Sequence, residues 1–287
     1  MGIVLGPNRY GKAETRVVRV DRDGDRHTLT DLNVSVALAG DLAATHLTGD
    51  NSQVLPTDTQ KNTVYAFARR HGISSAEEFG LLLARHFVDS QPSIDRARID
   101  IEQYGWQRLG PHSFQRDGTQ TRTATVRYDG DRAEIVAGLT GLVLLNTTDS
   151  EFCGFVVDPY TTLPPADDRI LATAVDARWR YAGVVPGAAD WDTAHAAVRD
   201  TLVAAFVGTY SRSLQQTLYA MGERVLTDHP QVVEVRLVLP NKHHLLVDLG
   251  PVGLDNPNTV FVVADRPYGL IEGTVRRDDA APALGDW

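Results

Sequence analysis

Apolar and polar positions alternate in some stretches of this chain and recur at helical spacing in others, and the two patterns follow a repeating order. Thr15–Asp21 alternates and predicts a strand. Arg22-Asp23-Gly24-Asp25 follows as a hairpin turn, because Asp and Gly tolerate positive φ. Asp31–Gly40 predicts the returning strand, with Leu32, Val34, Val36 and Leu38 on one face. Thr57–His71 predicts a helix, and the Thr57/Gln60 spacing suggests a capping box. Ser75 and Glu78 repeat that signal before a second helix, Glu77–Val88. Strands are expected at Ile94–Trp106 and Gln120–Tyr128.

The order then starts again. Ala133–Asn146 and Asp168–Tyr181 read as strands, joined by a Gly-, Pro- and Thr-bearing loop near Thr148–Pro165. Helices are expected at Ala194–Thr209 and Leu214–Leu226, and strands at Val232–Leu249 and Val260–Arg277. Pro240-Asn241 and Pro267-Tyr268-Gly269 are expected to break the last two strands. Pro230 lies 138 residues (230 − 92) after Pro92, each between a helix-like and a strand-like run. At that offset Ser75 falls on Ser213, Glu77 on Gln215, Arg98 on Arg236, and Lys61-Asn62-Thr63 on Arg199-Asp200-Thr201. Each half thus reads strand, strand, helix, helix, strand, strand. This predicts an α+β fold of two antiparallel four-stranded sheets, each with two helices on one face. Such sheets bury one face only, and their long edge strands invite pairing, so an oligomer built by sheet extension is expected.

Composition narrows the function classes. The 287 residues suit one large or two ordinary domains, and 43% hydrophobic content supports a sizeable core. A net charge of −9 disfavours a broad nucleic-acid or anionic-membrane surface. The lone Cys153 cannot form an intrachain disulfide. No apolar run approaches the roughly 20 residues of a spanning helix, no secretory pattern opens the chain, and no peroxisomal address ends it. The cytoplasm is the expected location.

No His-x-x-x-His, Cys-x-x-Cys, phosphate loop or nucleophile elbow is present, and adjacent His243 and His244 on a strand would point apart. Neither a metal nor a cofactor is therefore expected. What remains are polar residues at element ends, each with a plain alternative. Lys12 sits ahead of the first strand and could be solvated; Thr57 and Asp58 start a helix and could be caps. Arg169 follows Asp167 and Asp168 and could form a surface ion pair. Gln215 could be solvated, Asn241 and His243 could mark a turn, and Phe152 could be core.

Taken together and in order, Tyr10-Gly11-Lys12, Asn51–Thr63, Phe152–Leu163, Asp168–Leu171 and Leu239–His243 resemble the urate oxidase family over about Asn8 to Arg277. The resemblance implies two tandem tunnelling-fold units, at residues 8–140 and 141–278, followed by a tail at 279–287. It implies a homotetramer with active sites between subunits. It implies cofactor-independent oxidation of urate by O2 and water to 5-hydroxyisourate and hydrogen peroxide. Lys12 and Thr57 would form a catalytic dyad and His243 would complete a proton relay. Thr57 and Asp58 would come from the subunit neighbouring the Lys12 they serve. Arg169 and Gln215 would clamp the substrate, Phe152 would stack on it, Leu214 and Asp58 would offer backbone N–H groups, and Asn241 would hold dioxygen or water. Cys153 stands where relatives often carry an aromatic residue.

The substrate's chemistry agrees with these residue types. Urate is flat, anionic and polar at its rim. Arginine offers two parallel donors, glutamine one donor and one acceptor, and phenylalanine a stacking face. A lysine at its free pKa of about 10.4 is a poor base, which burial corrects. A zinc-dependent tunnelling-fold enzyme on pterins or purines is the alternative, and a non-catalytic purine-binding protein the third.

Overall fold

In a computed structural model, residues 2–183 and 190–285 are described, the side chain of Asp265 excepted. The described chain forms two compact units. One comprises Met1–Gly138 with Arg180–His195 and Ala281–Trp287; the other comprises Leu139–Trp179 and Ala196–Ala280. Strand β5 (Ala133–Asn146) runs from the first into the second.

The first unit carries β1 (Tyr10–Asp23), β2 (Arg26–Gly40), α1 (Ala43–Leu47), α2 (Thr57–His71), α3 (Ala76–Ser90), β3 (Ile94–Arg108) and β4 (Phe114–Tyr128). Its strands lie side by side in chain order, antiparallel throughout. The hairpin between β1 and β2 turns at Gly24, whose φ is +55°. The alternation in β2 is realised: Leu32, Val34, Val36 and Leu38 are all buried, at 0–3% exposure. α3 lies over β3 and β4 and α2 over β1, so one sheet face carries the core.

The second unit adds β6 (Leu171–Tyr181), α4 (Trp191–Gly208), α5 (Leu214–Asp228), β7 (Val232–Leu246) and β8 (Phe261–Arg276), with a single 3-10 turn at Gly250–Val252. The ends of β6 and α4 belong to the first unit. α5 covers β7 and β8, with its Val225 sealed against Val235, Leu237 and Leu239 of the buried face of β7.

The α+β order of two strands, two helices and two strands is thus present twice. The 138-residue offset holds residue for residue at α3 and α5, and again at β3 and β7. Ser75 caps α3 by accepting from Glu78 N at 3.1 Å, and Ser213 caps α5 by accepting from Gln216 N at 3.2 Å. The offset drifts in the outer strands, where hairpins differ in length. Short α1 had no counterpart in the periodicity, since five residues are too few to show one.

Two expectations are corrected. Pro240-Asn241 stay paired, with Leu270 and Gly269, so they do not break β7; the expected interruption at Pro267-Tyr268 is present as a register shift, the pairing passing from Asn241–Gly269 to His243–Ala264 and leaving residues 265–268 of β8 without a β7 partner. The Thr57/Gln60 pair is no capping box either. Pro56 occupies the cap position without a side-chain bond, and Thr57 is the first helical residue. In the expected tail, Ala281–Gly285 belongs to the first unit, while Asp286 and Trp287 lie outside the described residues.

Candidate active site

The expected site residues fall into two groups, one in each unit. In the first unit, Lys12 lies within β1 rather than ahead of it. Its direction is set by a bulge. Lys12 pairs with Val36, but the next registered pair is Thr15 with Val34, so three steps on β1 match two on β2. Glu14 absorbs the extra residue at φ +56°, and its N–H donates to Ser35 Oγ at 3.0 Å. Without the bulge, Lys12 and Thr15 would face opposite ways. With it, Lys12 shares the helix-facing side of the sheet with Thr15 and Val17.

The helix on that side is α2. Tyr10, two residues before Lys12, donates its hydroxyl hydrogen to Leu55 O at 3.0 Å and accepts from Leu55 N at 2.9 Å. Leu55 in turn precedes Thr57 by two residues. Gln60, fully buried, donates to the same Leu55 carbonyl at 3.3 Å instead of reaching back to a cap. The Thr57 hydroxyl makes no hydrogen bond among the described residues, which a capping threonine would. Asp58 accepts from Lys61 and, at 2.9 Å, from Asn62. Lys61 first, and Lys12 at longer range, hold its carboxyl below the usual carboxylate range. The Asp58 carboxyl therefore feels the Lys12 of its own chain. The Tyr10–Leu55 tie holds the start of α2 beside β1 of the same chain.

In the second unit, backbone bridges gather the clamp. Ser150 lies parallel to Ser211, and Glu151 N donates to Ser211 O at 2.7 Å. Arg169 N donates to Ser150 O at 2.8 Å. Phe152 and Ala166 exchange both of their backbone bonds, at 2.7 and 3.1 Å. One short extended segment, Ser150–Phe152, thus fixes Arg169 on one side. On the other it fixes the chain that enters α5 at Leu214 and Gln215. The Arg169 guanidinium carbon stands 5.3 Å from the Phe152 ring centre. Phe155 stacks on Phe152 at 5.0 Å and 16°, brought back by the turn at Gly154, whose φ is +71°.

The plain reading of Arg169 as a surface ion pair fails. Asp168 accepts instead from the Thr148 hydroxyl, at 3.1 Å to each carboxylate oxygen. Arg169 has no carboxylate partner among the described residues, its Nε is buried without an acceptor, and burial pulls its pKa below the ordinary arginine value. Gln215 is exposed in the first turn of α5, and its side chain makes no hydrogen bond among the described residues; neighbouring Gln216 accepts from Arg212 N at 2.7 Å. Leu214 is buried, with its N–H among the free donors of the helix start. A charged donor beside a ring face, and an amide and free N–H groups at a helix start tied to the same Ser150–Phe152 segment, are thus left without internal hydrogen-bond partners among the described residues. That set suits a planar anion.

The equivalent position in the first unit is closed. Glu77 is fully buried and bonded by Arg122 at 2.6 Å, and Arg122 also binds Asp192 at 2.6 Å and the Trp191 carbonyl at 3.3 Å. A side chain of the same chain occupies the place a ligand would take. Asn241 and His243 lie on β7 across the irregularity, both half-buried. No hydrogen bond or ring contact joins them to Phe152, Arg169 or Gln215 among the described residues. Cys153 is exposed, and its thiol donates to Ala166 O at 3.0 Å. Among the described residues no three His, Cys, Asp or Glu side chains converge as a metal site would require. Phe155 and Tyr10 were not assigned roles from sequence. The Phe-x-Gly-Phe spacing was the available signal for the first, and nothing local marks the second.

The uricase family model matches residues 8–127 and 135–272. A uricase from Arthrobacter globiformis is 51% identical over 278 residues, covering 96% of this chain and 91% of that protein. A uricase from Dictyostelium discoideum is 38% identical, covering 94% and 96%. The crystal structure of the Arthrobacter globiformis uricase superposes with a TM-score of 0.95 at 49% identity, covering 99% of this chain and 98% of that one. The Bacillus fastidious uricase structure, 24% identical with a TM-score of 0.78 over 96% of each chain, shares the fold. With both halves matched in order and a relative above half identity over nearly its whole length, the chain belongs to the uricase family.

Proposed function

We propose that the chain oxidises urate with O2 and water to 5-hydroxyisourate and hydrogen peroxide, without a bound cofactor. Arg169 and Gln215 hold the rim of the purine, Phe152 supports its face, and Lys12, Thr57 and His243 move protons. The observation that carries this reading is Arg169, a half-buried cation beside an aromatic face with no acidic partner among the described residues. A buried charge is costly unless something pairs with it. A flat anion does so, giving the guanidinium two parallel acceptors while its ring lies along Phe152.

The chemistry asks for one more proton to leave urate, so that an electron-rich ring can pass two electrons to dioxygen. Lys12 takes that proton through the Thr57 hydroxyl, which no cap or core bond occupies among the described residues. Oxygen then adds to the ring as a hydroperoxide. Water, relayed by His243 and held by Asn241, replaces the peroxide. Urate, O2 and water together supply every atom of 5-hydroxyisourate and hydrogen peroxide. Leu214 and Asp58 contribute backbone N–H groups to the rim and to oxygen.

Lys12, Thr57 and Asp58 act as one intrachain group. In a homotetramer joined by its sheet edges, this group of one subunit faces the Arg169–Gln215–Phe152 clamp of its neighbour. The test is direct. Metal-stripped protein is mixed with urate and oxygen, and peroxide release is followed with the loss of urate absorbance. Stoichiometric peroxide is expected; absence of turnover under these conditions overturns the proposal.

A further inference from the structure

We propose that Tyr10 is a positioning residue for the Lys12–Thr57 pair, acting as a two-point clasp on the backbone of Leu55. This rests on the dyad reading above. The hydroxyl of Tyr10 both donates to and accepts from one residue, Leu55, at 3.0 and 2.9 Å. Two bonds to one peptide-bearing residue restrict its rotation as well as its distance. Burial pushes the Tyr10 hydroxyl up, so it stays protonated and keeps both bonds over the working pH range.

The clasp sits one stiff residue from each reacting side chain. Between Tyr10 and Lys12 stands Gly11, held in the ladder opposite Ala37 at an approach so close that a Cβ would lie 1.7 Å from Val36 O. Between Leu55 and Thr57 stands Pro56, whose ring holds φ at −54°. Tyr10 and Lys12 share a sheet face, since their partners Leu38 and Val36 both point into the core. Fixing Leu55 to Tyr10 therefore fixes Thr57 relative to Lys12 through two linkers that have little freedom. A buried tie meant only for stability has no need of such stiff arms. Proton transfer does need them, because small misplacements of a general base cost large factors in rate.

The experiment uses the full chain. For Tyr10→Phe, kcat per site, with sites counted by titration with xanthine, should fall about 10-fold while KM for urate moves less than about twofold. Combined with Lys12→Met, the Phe substitution should cost nothing further, because the pair it positions is already gone. A second variant keeps the geometry: 3,5-difluorotyrosine at position 10, whose hydroxyl ionises nearer neutrality. A phenolate cannot donate to Leu55 O, so the kcat profile should gain an alkaline limb at that ionisation. A purely structural tie would lower the thermal midpoint and the active fraction and leave per-site kcat and the pH profile alone. Unchanged per-site kcat in the Phe variant, or no new limb in the fluorinated one, overturns the clasp. Full turnover by Lys12→Met alone overturns the dyad, and the clasp with it. A dead Lys12→Met beside a normal Tyr10→Phe overturns the clasp only.

Discussion

Arg169→Met should leave the free protein about as stable as before and yet nearly abolish purine binding. In the free protein, Nε is sealed from water with no acceptor, and no carboxylate pairs with the guanidinium among the described residues. An unsatisfied buried donor costs about 1–3 kcal/mol, here taken at the low end because Arg169 is only half-buried. Its contact with Phe152 returns about 0.5–1 kcal/mol. The two nearly cancel, so removal should shift folding free energy by less than about 1 kcal/mol. With the ligand bound, two charge-assisted hydrogen bonds of about 1.5–3 kcal/mol each disappear. The smaller sum, about 3 kcal/mol, corresponds to roughly 100-fold in affinity. Arg169→Lys keeps the charge and loses the fork, so it should recover only part of that loss. Xanthine titration and thermal unfolding of the free protein are the two measurements. A variant that unfolds more than about 2 kcal/mol more easily while binding xanthine within threefold would make Arg169 a structural residue and refute the clamp.

Gln215→Ala should weaken xanthine binding by about 1–2 kcal/mol with little change in stability, since its exposed amide has no partner to lose among the described residues; equal affinity would remove it from the clamp. Gly11→Ala should destabilise the first unit by about 3 kcal/mol, because its Cβ would overlap Val36 O, and the strand shift should also remove turnover; a normal melting curve would contradict the close approach. Phe155→Ala should raise KM several-fold while kcat holds, as Phe152 loses the ring stacked behind it; an unchanged KM would show that Phe152 needs no support. Light scattering should return four times the chain mass, and a monomer active at the same concentration would exclude the shared site.

The periodicity of Leu32, Val34, Val36 and Leu38 states which face of β2 is buried, and the structure buries it. The spacing of Ser75 with Glu78 and of Ser213 with Gln216 states where two helices start, and both caps form. These are local matters, and short-range patterns carry them. Thr57 shows where the local rule misleads. Its spacing with Gln60 is that of a capping box, but Gln60 is claimed by Leu55, 5 residues back, in a clasp closed by Tyr10, 45 residues away. Pro240 misleads in the same way: proline is expected to stop a strand, yet it stays paired with Leu270, whereas Pro267 does interrupt the ladder, in the stretch of β8 that the register skips.

What the sequence determined unaided is the list of elements, their repetition after 138 residues, the buried faces, and the residue types able to hold a planar anion. What only the tertiary structure decided is orientation and partnership. Whether Lys12 faces the helices depends on the parity of β1 against β2, and one extra residue at Glu14 reverses it. Parity across a bulge is a property of two strands together and cannot be read from one. Whether Arg169 is paired depends on which donors take the nearby carboxylates, and Thr148, 20 residues from Asp168, takes the adjacent one. The same logic separates Glu77 from Gln215: equivalent in sequence, one is filled by Arg122 from a distant strand and the other stands open. Local pattern sets propensity; the free or occupied state of a polar group is settled by contacts between residues far apart in the chain.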